Sequence, residues 1–237
     1  HALGVPTTRA LSLVATGDPI MRDMFYDGNA AYEPGAIVCR AAPSFIRFGH
    51  FEILAVQKNK NLLKKLADYT IATHFPELGP VDNEGIYLRW FQEVCRRTAD
   101  MIVHWTRVGF VHGVMNTDNM SVHGLTIDYG PYGWIEDFDL NWTPNTTDSG
   151  RKRYKFGNQA QIGAWNFARL LDSIAPLMDE PERLYEALEF YFEAYKEHNG
   201  RMWAGKLGLE GFNAGDESLV TELTSILHRV ETDMTIF

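Results

Sequence analysis

The stretch HGVMNTDNMS at residues 112–121, followed by LTIDYGP at residues 125–131, decides the fold. It is typical of a helix end, a polar loop, a short apolar strand, and an acid beside a glycine turn. Asp118, Asn119 and Asp128 carry oxygen atoms of the kind that bind Mg²⁺ together with phosphate oxygens. The alternative is a loop whose Asp and Asn side chains only cap turns. Two carboxylates and an amide around one short strand favour a functional site.

Protein kinases use this arrangement, with a loop Asp as base, a loop Asn on the metal, and a second metal-binding Asp just before a glycine. One position departs from that pattern. Kinase-like phosphotransferases place the acid two residues after the loop His, and here that position holds Val114. A different acid, Asp118, stands directly before Asn119. The stretch therefore predicts a kinase-like fold but argues against ordinary kinase chemistry.

Helical periodicity flanks this stretch on both sides. Upstream, residues 59–74 and 83–108 carry apolar side chains at three- and four-residue spacing, and the second pattern ends at Gly109. Three further stripes downstream predict three more helices. We expect the stripes to form core faces: Leu62, Leu63, Leu66, Tyr69 and Thr73; Tyr87, Phe91, Val94, Thr98, Ile102 and Trp105; Ile162, Trp165, Ala168 and Leu171; Leu184, Leu188, Tyr191 and Tyr195; and Leu219, Leu223, Ile226 and Val230.

The first 57 residues have no such period and predict strands and turns. Strand candidates are residues 10–16, closed by a turn at 17–19, and residues 36–40. Asp27 and Gly28 are candidates for a tight hairpin turn between them. Residues 110–158 also lack a sustained period, and a long irregular stretch inside a compact domain is typical of a functional segment.

These patterns together predict a single kinase-like α+β domain. It consists of an N-lobe remnant at about residues 1–57 and a mainly helical C-lobe at about residues 58–237. The chain begins with His1 rather than Met and stops on apolar residues after a helical pattern. We therefore expect an internal fragment of a longer protein.

Composition excludes several classes of function. Of 237 residues, 22 are Lys or Arg and 31 are Asp or Glu, so the net charge is −9, whereas general nucleic-acid binding needs a basic face. Cys39 and Cys95 are too few for a disulfide scaffold and have no metal-ligand spacing. No apolar run approaches the roughly 20 residues of a membrane span. We expect a cytoplasmic protein, or a mitochondrial one in a eukaryote, with no nucleic-acid or membrane partner.

Two arginines, Arg40 and Arg47, lie seven residues apart among apolar residues. A guanidinium binds phosphate through a planar fork of donors, so such a pair suits a polyphosphate clamp. The alternative is that each arginine forms a structural ion pair with a carboxylate, and spacing leaves both readings open. His112 is expected to support the loop structurally.

At this point the residues resemble a known family, the kinase-like proteins of the selenoprotein O family. The resemblance extends from His1 to Phe237 without a large gap. The motifs that carry it are residues 112–121, 125–131, 24–29, 44–49 and 157–159, together with Trp165 and Asn166.

The resemblance implies a pseudokinase that binds ATP in a flipped orientation. Such an enzyme transfers AMP, rather than the γ-phosphoryl group, to Ser, Thr or Tyr hydroxyls of target proteins and releases pyrophosphate. Asp118 would be the general base, and Asn119 and Asp128 would hold Mg²⁺ or Mn²⁺. Arg40 and Arg47 would contact the nucleotide phosphates. A flipped nucleotide brings a different phosphorus to the hydroxyl, which would account for the missing acid in the kinase position.

The resemblance also implies parts that this chain lacks. The family's nucleotide-binding lysine and its partner glutamate would lie upstream of His1, and a C-terminal redox residue would lie beyond Phe237. Residues 142–145 read WTPN, where some relatives have a Cys. Two rival functions stay open: an ordinary kinase-type phosphotransferase, and an inactive ATP-binding module that only Val114 favours.

Overall fold

The computed structural model describes residues 1–24, 27–178 and 184–234, and within them it combines six α-helices with two small antiparallel sheets. The predicted α+β class is confirmed. In chain order the elements are β1 (Arg9–Arg22), β2 (Ala31–Ala41), α1 (Phe48–Val56), α2 (Lys60–His74), α3 (Ile86–Arg107), β3 (Phe110–Val111), β4 (Gly133–Trp134), α4 (Gln159–Ile174), α5 (Leu184–Leu207) and α6 (Asp216–Leu227).

Strands β1 and β2 form a long antiparallel hairpin that contains both predicted strands. The turn expected at residues 17–19 is wrong, because β1 continues through it with a register irregularity, and Pro19 pairs with Pro34. Each strand of a two-stranded ribbon has a free edge, and a proline whose nitrogen faces that edge removes no ladder hydrogen bond. Most side chains of the hairpin are exposed, including large apolar ones: Leu11, Leu13, Val14, Tyr32, Ile37 and Val38.

The connection between the two strands, residues 23–30, includes Asp27 and Gly28 but is longer than the predicted tight turn. The carboxylate of Asp23 accepts hydrogen bonds from their backbone amides, at 3.1 and 2.8 Å respectively. Gly28 has a φ of 87°, which a glycine adopts without steric cost. Phe25 and Tyr26, part of the motif at residues 24–29, lie outside the described residues.

Helix α1 lies in a segment that we expected to hold only strands and turns, so that expectation is wrong. Its sequence, FGHFEILAV, is apolar on most sides and therefore has no helical period. The Arg47 amide donates to His50 Nδ1 at 3.1 Å, which stabilises the first turn. Phe48 and Phe51 are fully buried, and α1 packs against α4. The division into lobes near residue 57 stays a prediction.

The core surrounds α3, which packs against α4 and α5. The predicted apolar face of α3 is confirmed, with Phe91, Val94 and Trp105 fully buried. The helix also ends where predicted, because Gly109 has a φ of 70° and its amide donates to Thr106 O at 3.2 Å. Helix α3 therefore leads directly into the polar loop at residue 110.

Several predicted core positions are instead exposed. They are Leu62, Tyr69, Thr73, Trp165, Leu219, Ile226 and Val230. In α2 the buried face is shifted by one residue, to Leu63, Ala67, Thr70 and Ile71. Apolar residues occur on both faces of this helix, so its period alone cannot select the face that packs. The side chain of Leu184 lies outside the described part of the chain.

Cys39 is exposed, Cys95 is buried, and both are free thiols. Burial raises the pKa of the Cys95 thiol well above its usual value, because the core cannot solvate a thiolate. In the part of the chain that the structure describes, no helix combines the length and apolarity needed to cross a membrane.

The substitution Phe167→Ala should destabilise the protein strongly, because Phe167 is fully buried and its ring contacts Phe48, Phe91 and Tyr191. We expect a loss of about 3–5 kcal/mol in the free energy of unfolding, measured by urea denaturation. Phe192→Ala is the matched control, since Phe192 is 43% exposed and should cost about 1 kcal/mol or less. Equal losses in the two variants would contradict this placement of the core.

Candidate active site

The loop with the candidate site residues is joined to the segment that enters α1. The Phe48 amide donates to Met120 O at 3.0 Å, and the Val122 amide donates to Ile46 O at 3.2 Å. Arg47 lies opposite Ser121 in this short antiparallel pairing. The structure therefore brings Arg47 to within two residues of Asn119 along the paired backbone.

Asp118 lies on a single 3₁₀ turn, Thr117–Asn119, against the first turn of α1. Thr117 Oγ1 donates to Glu52 Oε2 at 2.5 Å, which holds the turn on α1. A Cβ at Gly49 would overlap with Asp118 Oδ1, so a larger residue here would require the carboxylate to turn away. The exposed Asp118 carboxylate therefore stands at the positive end of the α1 dipole.

Asn119 is buried and held by Val114. Its Nδ2 donates to the Val114 carbonyl at 2.9 Å, so Oδ1 is the side-chain atom left for a ligand. Val114 itself contributes only backbone groups at the position where a kinase has its acid. This geometry allows Asn119 to offer an oxygen to a cation while Asp118 faces solvent.

Asp128 is exposed and has a φ of 55°, a left-handed conformation that is uncommon for a residue other than glycine. The residue before it is fixed by His112, whose Nε2 bonds to Ile127 O at 2.9 Å. Since Nδ1 of the same ring accepts from the Val114 amide at 3.3 Å, the proton is assigned to Nε2. Burial lowers the pKa of His112 and favours this neutral ring. The expected supporting role of His112 is confirmed.

Asn119 precedes the first strand and Asp128 follows the second strand of one small hairpin, so both lie at its open end. Met120 pairs with Thr126, and Thr126 also pairs with Thr7 on its other side. The Trp105 indole donates to Thr126 Oγ1 at 2.8 Å, which anchors the hairpin on α3. The strand predicted at residues 125–127 is reduced to these single bridges.

Arg40 reaches the same hairpin from β2. Its Nε donates to Thr8 Oγ1 at 2.7 Å, its Nη2 donates to Thr8 O at 2.6 Å, and its guanidinium lies 4.4 Å from the centre of the Tyr129 ring. Neither Arg40 nor Arg47 forms an ion pair with a carboxylate among the described residues. The alternative of two structural ion pairs therefore has no support, although Arg40 has a structural role through its hydrogen bonds to Thr8.

Three side-chain amides from elsewhere in the chain satisfy the backbone of this loop. Gln159 accepts from the His112 amide at 3.1 Å and donates to Phe110 O at 2.9 Å. Asn145 donates to Gly113 O at 3.0 Å, and Asn166 donates to Met115 O, also at 3.0 Å. With Asn119, four amides bind the loop between residues 110 and 115.

Sequence reasoning assigned no role to these three amides or to Gly49. Gln159, Asn166 and Gly49 belong to the motifs that carry the family resemblance, and Asn145 belongs to the WTPN stretch. A signal was present, since a polar amide between two aromatic residues, as at Asn166, usually has a buried hydrogen-bond partner.

The loop after Asp128 also approaches the first loop closely. Gly113 has a φ of 79°, and a Cβ there would overlap with the carbonyl oxygen of Pro131. Pro144 Cγ lies 3.2 Å from the same Cβ position. Gly113 is therefore required for three segments to meet behind the candidate site.

His123 fixes the start of the segment that carries Arg47. Its Nε2 lies 2.9 Å from Ser44 Oγ, and its ring stacks on Phe75 with centroids 5.7 Å apart. Burial, with smaller effects of His74 and Arg97, lowers its pKa to about 4. His123 is thus neutral at physiological pH.

The candidate metal-binding residues suit a metal ion whose other ligands come from a bound nucleotide. Among the described residues, no group of three or more His, Cys, Asp or Glu side chains could hold a metal by itself. Asn119 and Asp128 provide oxygen donors, and Mg²⁺ is usually bound by one or two such side chains together with phosphate oxygens and water. The donor set therefore fits a metal–nucleotide complex.

The comparisons with known proteins identify one family, and the matches cover the whole chain. The family model described as protein adenylyltransferase SelO matches residues 1–237. The protein nucleotidyltransferase YdiU of Nitrosospira multiformis is 57% identical over 239 residues, covering 100% of this chain and 42% of the relative. The proteins of the same name from Aromatoleum aromaticum and Flavobacterium johnsoniae are 58% and 54% identical, again over 100% of this chain and 45% of each relative. The chain spans less than half the length of these relatives.

The lowered pKa of His123 predicts a loss of stability in acid. Between about pH 6.5 and pH 4 the unfolded chain binds a proton at this residue that the folded chain does not, so stability is retained above pH 6.5 and falls below it. Urea unfolding of His123→Asn should show lower stability at pH 7.5 and a smaller further loss at pH 4.5 than the unaltered protein. The exposed His228→Asn is the control. An unchanged pH slope in His123→Asn would contradict the prediction.

Proposed function

Because this chain belongs to the SelO family of protein adenylyltransferases, we propose that it is part of an enzyme that transfers AMP from ATP to proteins. The acceptors are Ser, Thr or Tyr hydroxyls, and pyrophosphate is released. The proposal concerns the whole protein, since the chain covers 42% of its relative from Nitrosospira multiformis.

One observation carries this proposal: Val114 stands where a kinase has its acid, and Asp118 is the acid that the loop exposes. Both backbone groups of Val114 are hydrogen-bonded, its amide to His112 and its carbonyl to Asn119. An ordinary kinase needs the acid close to the hydroxyl that attacks the γ-phosphorus. The proposed base, Asp118, lies four residues after the position of the kinase acid. This displacement supports attack on the α-phosphorus instead of the γ-phosphorus.

In the proposed reaction, the Asp118 carboxylate accepts the proton of the substrate hydroxyl. The hydroxyl oxygen forms a bond to the α-phosphorus, and the bond between that phosphorus and the oxygen bridging to the β-phosphate breaks. Pyrophosphate leaves with the electron pair. Gly49 contributes by letting the carboxylate approach the first turn of α1.

Binding of the polyphosphate is assigned to the charges that face the hairpin. Arg40 and Arg47 would bind phosphate oxygens, since a guanidinium pairs with them in bidentate geometry. Asn119 and Asp128 would hold Mg²⁺ or Mn²⁺. The metal, when bound, neutralises negative charge on the phosphate oxygens.

We also propose a protein-kinase-like fold for the chain. The order of its elements supports this reading: a long helix (α3), a loop with Asp118 and Asn119, a small hairpin, Asp128 before a glycine-containing turn, and then α4. The division into an N-lobe remnant and a helical C-lobe belongs to the same proposal.

Full-length protein incubated with ATP labelled at the α- or the γ-phosphate should retain label on protein from the α position only. Asp118→Asn should reduce this transfer by about 10²–10⁴-fold, the usual contribution of a general base. Asp128→Asn should abolish metal-dependent nucleotide binding. Asp82→Asn, which removes an exposed carboxylate in the loop before α3, is the control and should retain activity. Label retained from the γ position only would indicate an ordinary kinase and overturn the assignment of Asp118.

The substitution Gly49→Ala tests whether the approach of Asp118 to α1 matters. The added Cβ must displace the carboxylate, so AMP transfer should fall at least tenfold, although alanine is as good a helix former as glycine or better. Gly205→Ala is the control, because no atom lies within 4 Å of its Cβ position in α5, and it should leave transfer unchanged. Full activity in Gly49→Ala would show that this contact is dispensable.

A further inference from the structure

A dense group of positive charges stands out in this acidic protein. Residues 151–155 read RKRYK, so four of five side chains are cationic in a chain of net charge −9. The run lies between the candidate site and α4, and sequence reasoning gave it no role. Runs of charge are usually solvated surface without a fixed structure. The local contacts show whether this run has an ordered conformation.

The backbone of this run is fixed by hydrogen bonds to neighbouring residues. The Lys152 amide donates to Asp148 O at 2.6 Å, and the Tyr154 amide donates to Asp148 Oδ2 at 2.7 Å. Asn158 Nδ2 donates to Arg153 O at 2.7 Å. Lys152 adopts a φ of 49°, an uncommon conformation that these contacts hold in place. The run is therefore an ordered loop.

An exposed tryptophan on α4 lies beside the run. The Arg153 guanidinium is 4.4 Å from the centre of the Trp165 ring, and the Arg169 guanidinium is 5.8 Å from it. Trp165 is nevertheless 40% exposed, although its stripe predicted a core position. Stacking on the indole holds the Arg153 guanidinium in one orientation, which lowers the entropy lost when it binds an anion.

We name this surface the basic platform: Arg151, Lys152, Arg153, Lys155, Trp165 and Arg169. Arg169 pairs with Asp172 at 2.9 Å, and Lys155 donates to Asn141 Oδ1 at 2.7 Å. The four cationic side chains of the run form no ion pair with a carboxylate in residues 1–24, 27–178 or 184–234. Most of the positive charge of the basic platform is therefore uncompensated.

The basic platform is connected to the loop that carries the proposed base. Gln159, four residues after Lys155, binds both Phe110 O and the His112 amide. Asn166, the neighbour of Trp165 on α4, donates to Met115 O. The basic platform and the loop in which Asp118 stands are thus both attached to α4.

We propose that the basic platform binds an acidic segment of the protein substrates. The inference rests on the proposed function, because it assigns a recognition surface to the same site. Uncompensated arginines beside an exposed aromatic ring suit Asp and Glu side chains on an extended peptide. Nucleic acid is disfavoured, since a long polyanion would also meet the field of a chain with net charge −9.

A binding experiment with the full-length protein tests this without requiring catalysis. Two fluorescent peptides of equal length carry one Ser, flanked by Asp and Glu in the first and by Asn and Gln in the second. Fluorescence anisotropy should show at least tenfold tighter binding of the acidic peptide. The variant Arg151→Gln/Lys152→Gln should weaken it about three- to tenfold, as expected for two exposed charge pairs.

Lys60→Gln/Lys65→Gln is the matched control, because it removes two exposed charges from α2 and should leave acidic-peptide binding unchanged. Arg153→Leu, which keeps the contact with Trp165 apolar, is a further variant and should weaken binding as well. Equal affinity for both peptides, or an equal loss in the control, would overturn the proposal. Tighter binding of a single-stranded oligonucleotide or of anionic phosphatidylserine vesicles, lost in the Arg151→Gln/Lys152→Gln variant, would also overturn it.

The same variants separate this inference from the proposed function. Transfer of the α-phosphate label reports the proposed activity, whereas anisotropy reports the basic platform alone. Selective binding of the acidic peptide without any transfer would contradict the proposed function and leave the recognition surface standing. Transfer of AMP to both peptides with equal KM values would support the proposed function and contradict the recognition surface.

Discussion

The arrangement depends on one constraint: the largely buried backbone of residues 112–115 must be hydrogen-bonded although it belongs to no helix or sheet. Side-chain amides solve this, with Gln159, Asn145 and Asn166 reaching the loop from distant parts of the chain and Asn119 from within it. Each of these bonds also fixes the segment that supplies the amide. The hydrogen bonds to the loop therefore also fix the positions of α4 and of the irregular segment before it.

Close approach of backbone is the second requirement, and two glycines meet it. Gly49 lets Asp118 approach α1, and Gly113 lets the loop contact the carbonyl of Pro131. A single methyl group would collide with backbone at Gly113 and would displace the Asp118 carboxylate at Gly49. Trp105 anchors the small hairpin on the core through its hydrogen bond to Thr126.

The sequence predicted what depends on local pattern. Helix α3 and its end at Gly109 followed from period and glycine chemistry, and the kinase-like spacing identified the loop of Asp118. Helix α1 was missed because its apolar run has no period. The contact of Gly49 with Asp118, and the amide of Asn145, were missed because they join residues far apart in sequence, which no local pattern reveals. The residue roles at the site stay predictions, whereas the amide network and Gly49 emerge only from tertiary structure.

The hairpin of β1 and β2 has a further consequence for handling the protein. Both of its strands have a free edge, and large apolar side chains such as Leu13 and Ile37 are exposed along it. Unpaired strand edges with apolar side chains are templates for strand addition by another chain. When this chain is produced by itself, concentration should drive edge-to-edge aggregation through the hairpin. Charged substitutions at those exposed positions offer a way to suppress it without altering the loop of Asp118.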